Sequence, residues 1–289
     1  MSQASPSAVA APVAGPTPEP LLRLRPRSGW QAINVAELWH YRDLLWFLAL
    51  RDIKVRYKQT VLGVVWALLQ PVAAMLIFTL FVGKLVKVPG GVPYPVFAYC
   101  ALLPWQLFSQ SLTQAGNSLI ENERLVTKVY FPRLLIPFAA VLSGLLDFAI
   151  SFVVFLGMLW YYHIAPGPAL LLLPVLVVFV VLTALSVGLW LSALNAHYRD
   201  FRYAIPFLVQ VWFFASPVVY PANLVDPSWR ALYGVNPMAG VIQAFRWALL
   251  GNEAPMWSLL AASGATVLVL FVAGLFYFRR MERTLADWV

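Results

Sequence analysis

The chain has 289 residues, of which 61% are hydrophobic and 11% charged, and a formal net charge of +8. Its mean hydropathy is +0.76, whereas an ordinary soluble domain is roughly 45–50% apolar and about 25% charged. A water-soluble globule of this size cannot hide that much apolar surface, and no polar segment is long enough to be an anchored catalytic domain. The single cysteine, Cys100, excludes an internal disulfide framework and a cysteine-based zinc site.

Residues 1–29 are Ala/Pro-rich and lack the basic-then-apolar order of a signal peptide. They read as a disordered cytoplasmic tail. Residues 30–60 follow as an amphipathic interface helix. His40, Asp43, Phe47, Arg51, Lys54 and Lys58 fall on one stripe at helical spacing, and Leu38, Tyr41, Leu45 and Leu48 on another. A simple topogenic anchor for the following span is the other reading of this segment.

A helix needs about 20 mostly apolar residues to cross a bilayer. Continuous apolar runs near 61–86, 94–119, 134–162, 169–194, 204–221 and 257–278 meet that length, which predicts an all-α integral membrane protein of six spans over 61–280. Pro71, Pro104 and Pro217 are expected to kink the first, second and fifth. The stretch 238–250 is too short to span and reads as a re-entrant or interfacial helix. With both termini cytoplasmic, the last being 281–289, sixteen of the twenty Lys and Arg residues lie inside. That bias fixes the orientation and accounts for the net charge through membrane lipid rather than nucleic acid.

The loops carry the candidate chemistry. In 120–133, Glu121, Glu123, Arg124, Lys128 and Tyr130 flank an apolar Leu125-Val126 pair. This fits a short helix docking into a soluble partner or a solvated turn between spans. The 195–203 loop gathers His197, Arg199, Asp200 and Arg202, which suits phosphate binding or positive-inside anchoring. Asp147 lies near mid-membrane with Ser143 and Ser151 four residues to either side. A carboxylate there must face the bundle or a cavity, either lining a conduit or making a structural hydrogen bond. Between spans five and six, short outer helices are suited to gate an exit, with Trp229, Tyr233, Arg246 and Trp247 the residues on them.

There is no GxxxxGK[ST] phosphate loop and no Cys/His cluster with ligand spacing. A membrane enzyme would need clustered acids or histidines at the surface. A secondary carrier would need paired intramembrane charges. Neither pattern is visible, so the chemistry that powers such a bundle is expected in another chain.

The stretch LALRDIKVRYKQTVLGVVWALLQPVAAMLIFTLFVGKL (48–85) resembles the opening of ABC-2 type transporter permeases that export cell-surface polysaccharide. Arg51-Asp52, Arg56-Tyr57, Leu62-Gly63, Trp66 and Gln70-Pro71 carry the match. NERLVTKVYFPR (122–133), LSALNAHYRDFRY (191–203), SPVVYP (216–221) and VNPM (235–238) extend it over about residues 36–280. The resemblance implies a six-helix permease acting as a homodimer with two copies of a separate ABC ATPase, which would bind ATP and Mg; this chain would hold no cofactor. It makes 120–133 the coupling helix and 222–251 the outer gate. It implies a glycan on an undecaprenyl-diphosphate carrier, exported across the bacterial inner membrane. The LGVVWALLQP form lies closer to the O-antigen and teichoic acid branch than to the capsule branch, and an exporter of small hydrophobic compounds is the nearest rival. Arg51, Lys54, Arg56 and Lys58 are the residues suited to drawing in a pyrophosphate head, with Tyr and Trp faces lining the sugar path.

Overall fold

The computed structural model describes residues 39–58, 63–85, 88–129, 131–224, 226, 229–251 and 256–282. The expectations for the tail 1–29, for 30–38, for Tyr130 and for 283–289 lie outside these residues. Within them every regular element is helical. The chain runs through α1 (Arg42–Lys58), α2 (Gly63–Phe81), α3 (Tyr94–Glu121), α4 (Glu123–Lys128), α5 (Leu135–Tyr161) and α6 (Leu173–His197). It continues as α7 (Phe201–Ala215), α8 (Arg230–Val235), α9 (Pro237–Leu250) and α10 (Trp257–Glu282).

Leu135–Tyr161, Ala169–His197 and Trp257–Glu282 are long and apolar enough to cross a bilayer. Val65–Phe81 and Phe201–Ala215 are apolar but shorter. The remaining expected span, α3, is long enough, but its inner half (QLFSQSLTQAGNSLIE) is interrupted by polar residues. Each apolar run in the sequence thus falls on a helix, with three of them meeting the full requirement for a crossing.

α3 is the hub. It packs along α6 and α5 most extensively and also meets α2, α7 and α9. In its N-terminal half Tyr94 and Val96 to Trp105 are buried. The α3–α6 crossing is close because Gly188 faces Ala115: a methyl group on Gly188 would lie 2.8 Å from the Ala115 Cβ. Small residues at helix crossings of this kind let backbones approach where no hydrophobic effect drives association.

Pro71 and Pro104 do sit inside helices, but Pro217 does not. The helix of the fifth expected span, α7, ends at Ala215, and the proline within it is Pro206. Residues 216–221 turn away instead, with the Val218 and Tyr220 carbonyls held by Arg246 and that of Val219 by Tyr94. Asn236 ties the end of α7 to the start of α9. Its Oδ1 accepts from Met238 N at 3.0 Å, capping α9, and from Trp212 Nε1 at 2.8 Å. Its Nδ2 donates to Ala215 O and to Ser216 Oγ, both at 3.0 Å.

α9 then begins with Pro237 at its first turn and stops at Gly251, whose φ of +65° suits glycine. Fourteen residues long, it is buried on most of its surface through Met238, Val241, Ile242, Phe245 and Leu249. It packs on α10, α3 and α6. Replacing Asn236 with alanine is expected to cost about 2–4 kcal/mol. That combines a lost N-cap of ~1 kcal/mol with a Trp212 donor left without its partner, ~1–3 kcal/mol. A thermal unfolding midpoint in detergent unchanged from the parent would remove Asn236 as the tie between α7 and α9.

Candidate functional site

One end of the bundle gathers α1, the α3–α4 corner, the α6–α7 loop and the end of α10. α4 is short and two-sided. Val126 is buried and Leu125 half-buried against a cluster that includes Leu119, Phe131, Leu134 and Phe278. Glu123, Arg124 and Lys128 are exposed, as is Glu121 at the end of α3. The Glu121 carboxyl is held above the usual range by desolvation and then by the Asp52 carboxylate, against the opposing pull of Arg202 and Arg56. Arg199, Asp200 and Arg202 are exposed at the start of α7.

α1 docks its Leu48 and Ala49, with Tyr41, Leu44 and Leu45 beside them, on the same apolar cluster. Trp39, Trp46 and Phe47 remain exposed, in keeping with a helix at a membrane surface. Of the four basic residues assigned to a lipid head group, Lys54 and Lys58 are exposed. Arg51 instead pairs with Asp52 at 2.7 Å and donates to Asn122 Oδ1 at 2.6 Å. Arg56 pairs with Asp147.

The partnership of Arg56 with Asp147 joins residues placed in separate roles from sequence. The Arg56 guanidinium donates to Asp147 Oδ2 and the Tyr57 hydroxyl to Asp147 Oδ1. Burial, and then the neighbouring carboxylate, push the Tyr57 hydroxyl above its ordinary value. Ser143 and Ser151 are buried on the same helix. The Ser143 hydroxyl lies 3.0 Å from Gln114 Oε1, and the Ser151 carbonyl accepts from Tyr99 at 3.3 Å. Near the membrane exit, Arg133 Nη1 donates to Glu282 O at 2.7 Å, tying the segment after α4 to α10.

A feature the sequence reading missed lies on α3. Gln106, Ser109, Gln110, Thr113 and Asn117 follow one helical face and are all half-exposed. Gln110 Nε2 reaches Gln106 Oε1 at 3.4 Å, Thr113 Oγ1 bonds its own helix at Ser109 O, and Asn117 Oδ1 accepts from Asn195 on α6. The stripe runs about 16 Å at 1.5 Å per residue. Uncharged polar groups at this density are costly against lipid, so this face is suited to water, sugar or protein. Its signal was the i, i+3, i+4, i+7, i+11 spacing of polar residues inside a run judged only by its apolar content.

At the opposite end of α3 sits Arg246, 7% exposed. Its Nη2 donates to Val218 O at 2.8 Å and its Nη1 to Tyr220 O at 3.2 Å. The guanidinium carbon lies 3.7 Å from the Phe97 ring centroid. Tyr94 OH donates to Val219 O at 2.9 Å, so three successive carbonyls of the 216–221 turn are held from the bundle. Tyr233 on α8 meets Tyr220, hydroxyl to hydroxyl at 3.2 Å. Trp247 stands edge-on to Trp257 at 5.7 Å, and Trp229 is exposed.

An all-helical bundle among the described residues, with three helices long and apolar enough to cross a bilayer, defines an integral membrane protein. The chain belongs to the ABC-2 type transporter family, whose model matches residues 43–250. It is 31% identical over 253 residues to the O-antigen export system permease protein RfbA of Myxococcus xanthus, covering 86% of this chain and 96% of that protein. It is 27% identical to the O-antigen export system permease protein RfbA of Klebsiella pneumoniae, over 85% of this chain and 94% of the relative. A polysialic acid transport protein, KpsM of Escherichia coli, is 24% identical over 83% of this chain and 94% of its own length.

Proposed function

We propose that this chain is the membrane permease of an ATP-driven exporter that carries a lipid-linked, O-antigen-like polysaccharide from the cytoplasmic side across the bacterial inner membrane. The polar stripe on α3 supports this reading most directly. A glycan offers many hydroxyls along its length; amide and hydroxyl side chains can exchange hydrogen bonds with it without the deep trap a fixed charge would set. The relatives in O-antigen and polysialic acid export are consistent with that cargo class. The half-exposed stripe is closed off from lipid when two copies of the chain face each other across it, which gives a homodimer with all six spans in place and both termini cytoplasmic.

Two copies of a separate ATPase, holding ATP and Mg, engage the 120–133 segment through Glu121, Glu123, Arg124, Lys128 and Tyr130, the first four of which are exposed. An undecaprenyl-diphosphate head is drawn toward Lys54 and Lys58, since Arg51 and Arg56 are engaged within the chain. Trp229, Tyr233, Arg246 and Trp247 belong to the outer gate, where a glycan leaves.

The test is co-purification of the permease with its ATPase, using an Arg124→Glu/Lys128→Glu variant. Both side chains are exposed, so the thermal midpoint of the permease alone is expected to stay where it is. Recovery of the ATPase and surface polysaccharide on periodate–silver gels are expected to fall at least tenfold. Undiminished recovery and export in the variant would overturn the coupling assignment. A permease that binds no ATPase at all would overturn the exporter reading itself.

A further inference from the structure

Both oxygens of the one mid-span carboxylate are taken by a helix that does not itself cross the membrane. Asp147 lies twelve residues into α5, about 18 Å along it at 1.5 Å per residue. An unpaired carboxylate at such depth costs roughly 2.5–3.5 kcal/mol on the insertion scale. Arg56 and Tyr57, adjacent residues near the end of α1, occupy Oδ2 and Oδ1. A conduit-lining carboxylate would present surface to water or cargo, whereas Asp147 is 7% exposed and each of its oxygens accepts from α1. The same helix has a second tie. Arg51, itself clamped by Asp52, donates to Asn122 at the corner where α3 ends and α4 begins. The two ties are five residues, or about 7.5 Å, apart on one continuous helix. Between them the apolar side of α1 is seated on the cluster that also holds Val126 of α4.

From these contacts we infer that Asp147 is a positioning residue: with Arg56 and Tyr57 it bolts the inner end of α1 to the middle of α5. α1 is thereby a rigid strut that passes displacement of the α3–α4 corner into the membrane. The inference rests on the reading of the chain as an ATP-driven permease and adds to it the route by which force leaves the coupling helix. Coupling of this kind needs a physical element that both ends bias. A helix held at two points by charge-assisted bonds is such an element, since these bonds are about twice as strong as neutral ones.

The experiment places spin labels at Val55 on α1 and Val153 on α5, both exposed, and measures their separation in the permease–ATPase complex with and without nucleotide. In the parent the distance distribution is expected to stay narrow in both states, α1 and α5 moving as one body. Asp147→Asn or Arg56→Gln is expected to broaden it and to lower surface polysaccharide at least tenfold per ATP hydrolysed, with complex assembly retained. The exchanged pair, Arg56→Asp with Asp147→Arg, is expected to restore a narrow distribution and part of the export. If Asp147→Asn accumulates poorly, Arg56→Gln and the exchanged pair carry the test. A narrow distribution in the single variants, with export lost, would overturn the strut and return Asp147 to the conduit. Parental export in both single variants would overturn it as well. The label distance is also read in the permease alone, so a missing ATPase partner, which defeats the exporter reading, is told apart from a failed strut.

Discussion

Replacing Arg246 with alanine is expected to unseat the 216–221 turn, lowering stability by about 3 kcal/mol and abolishing export. The arginine holds two carbonyls of a turn that has no helical ladder of its own, and hydrogen bonds to a charged group are worth about 1.5–3 kcal/mol each. Against this stands the cost of keeping a cation out of water, which alanine removes. The balance still favours arginine because its guanidinium satisfies Val218 and Tyr220 together and lies over the Phe97 ring. Lysine keeps the charge but lacks the planar fork, so Arg246→Lys is expected to fall between parent and alanine. Thermal unfolding in detergent orders the three. Arg246→Met separates shape from charge: a methionine variant as stable as the parent would show that filling the space, not the bonds to the turn, is what matters.

Gly188→Leu is expected to do comparable damage by a different route. The α3–α6 contact is the most extensive in the bundle, and even the first carbon of a side chain would meet the Ala115 Cβ at 2.8 Å. An alanine Cβ has no rotamer with which to yield, so the helices themselves must separate. Overpacking typically costs 1–3 kcal/mol, occasionally more; a leucine in this crossing is expected at or above about 3 kcal/mol. Gly188→Ala should be milder but still destabilising. Fluorescence-detected size-exclusion after a heating series reads both, and a monodisperse Gly188→Leu protein with the parental midpoint would show that the crossing is looser than the structure has it.

Local signals in the sequence were sufficient wherever a neighbour along the chain decides the conformation. The Asn-Pro start and Gly stop of α9 and the apolar side of α1 are of this kind, and so is the amphipathic α4. Pro217 misled because a proline in an apolar run looks like a kink. Whether the helix continues past Ala215 depends on Arg246 and Asn236, which take the carbonyls that a helix would otherwise use. The role of Asp147 was left open for the same reason: Arg56 and Tyr57 stand about ninety residues away in sequence, and nothing local names them. The stripe on α3 was legible by its spacing. It was passed over because a window that counts apolar residues averages around a helix and so hides a face.

The early stop of α7 also sets how the protein meets its bilayer. Fifteen residues of helix rise about 22 Å, while the hydrocarbon of a typical bilayer is about 30 Å thick. Its neighbour α6, with 25 residues, reaches about 38 Å. The perimeter is therefore uneven in hydrophobic height. On the proposed six-span reading, lipid beside α7 thins or tilts to match it, at fractions of a kcal/mol per ångström. A polar head group passing between leaflets along that side has several ångströms less hydrocarbon to cross than anywhere beside α6.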